Sequence, residues 1–132
     1  MSRQNVSSGS PLEPQIGFSW AVRIGSHVAV AGTAPIADGG GTAGVSDVAA
    51  QTRRCLEIGL EALAEAGAGA RDVIRSRIML TDISRWKEAA EVHGEVFGDI
   101  RPVCTFVEVS GFINPEWLVE TELDAVMSEE EQ

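Results

Sequence analysis

The residues of this chain best suited to chemistry are the carboxylates near its end. Glu120, Glu122 and Asp124 occupy alternate positions, a spacing that sends all three to one face of a strand. Clustered carboxylates disfavour one another's ionised form, and one that is also desolvated can exchange a proton near neutral pH. Glu120 is therefore a candidate general acid or base, and pairing with Arg75 or Arg77 is its structural alternative. Cys104 is a candidate nucleophile or redox-sensitive thiol if a cation such as Arg101, Arg75 or Arg77 lowers its pKa; otherwise it is a small apolar packing residue. His27 and His93 have neither metal-site nor triad spacing, and Cys55 and Cys104 form no CxxC pair, so no metal site is expected. The glycines at 39–41 are not followed by a P-loop lysine, and no cofactor is expected.

These groups need elements to position them. Phe18–Ile24 and His27–Gly32 read as two strands of a hairpin turning at Gly25-Ser26. Pro35–Gly44 is a glycine-rich loop. Ser46 or Asp47 can cap a helix running to Ala66, with Val48, Thr52, Cys55, Leu56, Gly59, Leu63 and Ala66 as its buried stripe. Asp72–Thr81 alternates as a strand, with Ile74, Ser76, Ile78 and Leu80 on one face and Val73, Arg75, Arg77 and Met79 on the other. Ser84 can cap a second helix with Trp86, Ala89, Ala90, His93, Val96 and Phe97 in its stripe. Cys104–Ser110 and Leu118–Met127 are the last strands.

The order β-β-α-β-α-β-β gives an α+β fold, a mixed sheet with two helices packed on one face. Strand parity puts Val119, Thr121, Leu123 and Ala125 beneath the helices, with Thr105, Val107 and Val109. It sends Glu120, Cys104 and Phe106 to the uncovered face. That face, with Val28, Val30, Met79 and Val126 also assigned to it, is too apolar for solvent and is expected to meet another subunit.

A chain of 132 residues with 44% hydrophobic content is one domain able to bury one core. Residues 1–15 are expected to be a flexible arm, 16–127 the folded domain and 128–132 a frayed acidic tail. No stretch is long and apolar enough for a spanning helix, and residues 1–15 lack a signal-peptide core, so no membrane partner and a cytoplasmic location are expected. A net charge of −10 with dispersed arginines and a single lysine, Lys87, argues against a nucleic-acid partner.

Gly17-Phe18-Ser19-Trp20-Ala21-Val22 and Val28-Ala29-Val30-Ala31-Gly32-Thr33 resemble the opening hairpin of the Rid (YjgF/RidA-type) family of reactive-intermediate deaminases, and Asp47–Thr52 the start of its first helix. Ala66-Gly67 followed by Asp72-Val73-Ile74 is similar to its helix-to-strand passage. Arg101-Pro102-Val103-Cys104-Thr105-Phe106-Val107-Glu108-Val109 and Leu118-Val119-Glu120-Thr121-Glu122 are similar to its last two strands.

The resemblance implies a chorismate-mutase-like fold, a homotrimer, and intersubunit clefts that bind small carboxylated metabolites. It implies hydrolysis of an imine or enamine to a keto acid and ammonia, with Glu120 directing water. It also implies a substrate pocket drawing on Phe18, Trp20, Gly32, Thr33, Arg101 and Cys104. Phe18 stands where a cleft tyrosine is common. Cys104 stands where the deaminating members carry an arginine, and a thiol cannot replace the guanidinium's charged fork of donors. A non-catalytic metabolite-binding protein is therefore the alternative. A ribonuclease or translation inhibitor, an activity also attributed to the family, fits the acidic balance poorly.

Overall fold

The computed structural model describes residues 2–128, so the acidic tail expected at 128–132 lies, apart from Ser128, outside the described residues. Its core is a six-stranded sheet in the order β1-β2-β3-β6-β4-β5. The strands are β1 (Arg3–Val6), β2 (Ala21–Ile24), β3 (His27–Thr33), β4 (Val73–Leu80), β5 (Val103–Glu108) and β6 (Val119–Val126). All neighbours are antiparallel except β4 and β5, which run parallel. A parallel pair needs a crossover, and helix α3 (Trp86–Phe97) supplies it.

The long helix α2 (Val48–Glu65) starts where expected. The Asp47 carboxylate accepts a hydrogen bond from the Ala50 N–H, which satisfies one orphan donor of the first turn. Its buried face sets Leu56 and Leu63 against Val28, Val30, Leu123 and Ala125 of the sheet. Gly59 allows this close approach: a Cβ would lie 2.9 Å from Leu123 Cδ1 and force the leucine to shift. Removing this apolar area from water is the main stabilising term, about 25 cal/mol per Å². Cys55 lies in the same interface with no exposed surface, and burial pushes its thiol pKa well up.

Four expectations are corrected. Residues 1–15 are not a loose arm. Arg3–Val6 pairs antiparallel with β2, and Leu12–Ile16 forms a five-residue helix, α1, that ends at Gly17 in the left-handed conformation (φ 89°). The sheet thus has six strands rather than five, and a third helix joins the two expected. In β4, a bulge between Val73 and Arg75 shifts the register against β6. Val73 is therefore buried, while Ile74 is 51% exposed.

The parity of β5 is the reverse of the expected one. Phe106 pairs in register with Ile78 and meets Trp86 and His93 edge-on at ring-centroid distances of 5.8 and 6.4 Å, beneath α3. Cys104, paired with Ser76, shares that helix-covered side rather than the open one. Finally, Val28 and Val30 are core residues, not open-face residues. Of the apolar groups that argued for a subunit interface, Met79 and Val126 remain on the open face, each half-buried.

Candidate active-site cleft

In β6 the alternation holds along its length, with Val119, Thr121, Leu123 and Ala125 buried and the residues between them half-buried. Arg77, paired in register with Glu122, donates to it at 2.5 Å. Glu120 is registered with Met79, and among the described residues it has no hydrogen bond or ion pair. Desolvation, and then the charge of Glu122, hold the Glu120 carboxyl above the ordinary carboxylate range. A carboxylate so placed accepts a proton more readily than an exposed one.

Glu120 lies on the wall of a cleft of about 600 Å³. Phe18, Trp20, Gly32 and Thr33 line the same cleft, so five of the seven residues expected at the site come together. The β3 irregularity between Val30 and Thr33 carries the Gly32 backbone up to the acid. A Cβ at Gly32 would meet Glu120 Oε1 at 3.1 Å, so a glycine leaves the carboxylate room that an alanine would contest.

Arg101 and Cys104 do not join this cleft within one chain. Arg101 follows α3 with φ at 57°, in the turn before Pro102. Cys104 is exposed on β5, two strands away from Glu120 in the sheet order.

The cleft also contains residues absent from the expected set. Glu13 of α1 is 6% exposed. Its Oε1 accepts from the Ser7 hydroxyl at 2.8 Å, and its Oε2 accepts from the Ser8 N–H at 3.0 Å and the Ser8 hydroxyl at 2.5 Å. Those donors, Ser8 first, hold its pKa below the ordinary value. The run Ser7-Ser8-Gly9-Ser10 followed by a glutamate at 13 is the sequence signal for this knot.

Trp117 lines the cleft from the connection that enters β6. Gln51, fully buried in α2, fixes that connection. Its Oε1 accepts from Leu118 N–H at 2.7 Å, and its Nε2 donates to the carbonyls of Glu116 and Gly44 at 3.0 and 3.2 Å. No group of His, Cys, Asp and Glu among the described residues could hold a metal ion. No described helix is long and apolar enough to cross a membrane.

A mixed sheet carrying α2 and α3 on one side, with an acid-bearing cleft beside its central strands, is the chorismate-mutase-like α+β architecture. The endoribonuclease L-PSP family model matches residues 9–127, and the chain belongs to that family, the YjgF/Rid group. The crystal structure of Rv2704, a member of the YjgF/YER057c/UK114 family from Mycobacterium tuberculosis, superposes with a TM-score of 0.86 at 52% identity, covering 96% of this chain and all of that one. An uncharacterized Streptomyces coelicolor protein is 38% identical over 122 residues, 92% of this chain and 90% of its own. The 3-aminoacrylate deaminase RutC of Acinetobacter baylyi is 34% identical over 110 residues, 83% of this chain and 84% of its own.

Proposed function

We propose that the protein is a homotrimeric imine or enamine hydrolase of the Rid group, with Glu120 directing water in the cleft. The observation that carries this reading is the half-buried, unpaired carboxylate of Glu120 facing a cleft with room for a small metabolite. Glu120 takes a proton from water as the water oxygen adds to the imine carbon. It passes that proton to nitrogen, giving a carbinolamine, then takes the carbinolamine's hydroxyl proton and delivers it to nitrogen as well. The C–N bond breaks as the C=O bond forms, and the products are a carbonyl compound and ammonia. The relation to a 3-aminoacrylate deaminase supports this reaction class.

The trimer supplies cover for the open sheet face and closes each cleft with a neighbouring subunit. In that arrangement Arg101 and Cys104 reach a cleft as substrate-binding residues only through a neighbouring copy. The test is ammonia release from imines generated in situ, both from amino acids and from simple amines. The expected result is turnover above buffer that is lost in Glu120→Gln. Turnover of none of them, or turnover that survives the substitution, refutes the reading.

A second reading, metabolite binding without catalysis, is favoured by Cys104 at the position of the deaminases' arginine. It predicts that a stabilising ligand is recovered unchanged. A net charge of −10 disfavours a ribonuclease.

A further inference from the structure

The charge of the cleft limits what it can hold. Among the described residues of one chain, three carboxylates line it, Glu13, Glu61 and Glu120, against one cation, Arg54, and Arg101 brought in by a neighbouring copy would still leave the carboxylates in excess. Arg54 is already engaged. Its Nε donates to the Ile36 carbonyl at 2.6 Å, Nη2 meets Asp38 at 3.1 Å, and Nη1 meets Glu57 at 3.5 Å. Glu13 is buried, and among the described residues all its hydrogen-bond donors are neutral serine groups, with no cation paired to it. A ligand carboxylate in this space would meet like charge in a partly desolvated site, where repulsion is screened far less than in water. An ammonium or iminium group would meet the opposite sign. The remaining wall is apolar and aromatic, with Phe18, Trp20 and Trp117, and aromatic faces attract cations while accommodating an apolar body.

We infer that the cleft selects cationic or neutral nitrogen compounds with an apolar body and rejects carboxylates, with Glu13 as a specificity-determining residue. This rests on the cleft being the ligand site, as proposed above. Its substrates are then the imines of simple amines rather than those of amino acids. In balanced form, one iminium ion and one water give one aldehyde or ketone and one ammonium ion. The carbon–nitrogen double bond is replaced by a carbon–oxygen double bond, both water protons end on nitrogen, and nothing is oxidised or reduced.

Calorimetric titration of the full chain at pH 7 with two probes of matched shape, 2-phenylethylamine and 3-phenylpropionate, tests the selection. The amine is expected to bind at least about tenfold tighter, a difference of about 1.4 kcal/mol. In Glu13→Gln the preference narrows, because the amine weakens and the carboxylate gains. If that variant fails to fold, the wild-type protein keeps the question open to test. Raising salt must then weaken the amine and not the carboxylate. Equal affinities, a preference for the carboxylate, a salt-independent ratio or binding of neither probe at millimolar concentration overturns the inference. The hydrolase reading stands or falls separately, on ammonia release.

Discussion

Replacing Gln51 by leucine removes a side chain with no exposed surface whose amide joins three segments. Leu118 N–H loses its acceptor at 2.7 Å, and the Glu116 and Gly44 carbonyls lose donors at 3.0 and 3.2 Å. An orphaned buried polar group costs about 1–3 kcal/mol. Glu116 is exposed and Gly44 half-buried, so water can recover part of what their carbonyls lose. The N–H then carries most of the penalty, and the expected loss is about 3 kcal/mol. At a few degrees per kcal/mol for a chain of this size, that is a fall in Tm of roughly 12 °C. The assay is urea denaturation at fixed protein concentration, since assembly would make the midpoint concentration-dependent. The midpoint should drop with the m-value unchanged. Because the connection also holds Trp117 in the cleft wall, ligand affinity should fall as well. A loss below about 1 kcal/mol would show that the amide does not tie the connection to α2.

Two further substitutions test other parts of the core and the cleft. Thr121 is fully buried and its hydroxyl has no hydrogen-bond partner among the described residues, so Thr121→Val should stabilise by about 1 kcal/mol in the same denaturation assay. A destabilised variant would mean that the hydroxyl is satisfied in solution. Glu120 has a raised pKa, so its ionised form is penalised in the folded state. Below the ordinary value of 4.5 both states are protonated and the penalty is absent; it grows as pH rises through the raised value. Glu120→Gln should therefore be more stable than wild type at pH 7, with the difference vanishing by about pH 4 in paired urea titrations. A gap that does not change with pH contradicts the desolvated carboxylate.

The sequence reveals most where one face of an element is buried throughout. The 3.6-residue stripe of α2 and the alternation of β6 both hold, because each packs against the other across the core. Legibility fails at the margins. β5 pairs with β4 alone, and all six of its residues are exposed or only half-buried, with Phe106 among the half-buried. Hydrophobic alternation there carries no information about which side is in, and Cys104 is assigned to the wrong face. The segment Arg-Gln-Asn-Val gives no strand signal because only Val6 is buried, and its pairing with β2 decides the structure. Glu13 and Trp117 are out of reach for a related reason. They reach the cleft through an α1 turn and a connection whose paths depend on hydrogen bonds made by Ser7, Ser8 and Gln51 rather than on periodicity. The residues named through family resemblance, Phe18, Trp20, Gly32, Thr33 and Glu120, converge because the segment leading into β2 is bonded to β3 at Trp20 and Ala31, and β3 is the neighbour of β6.

The sheet order has a consequence for how the molecule comes into being. β6, the last of the described elements, is inserted between β3 and β4, near the middle of the sheet. Until it arrives, the hairpin half and the β4-α3-β5 half have no shared strand. The Leu56 and Leu63 face of α2 lacks Leu123 and Ala125, and Glu120 is not yet in place beside Gly32. The fold closes over a long sequence separation, a slow and cooperative step. A chain cut before Val119 should be not a weaker version of the same fold but two unjoined fragments of a sheet with open inner edges, the kind of surface that pairs with other chains.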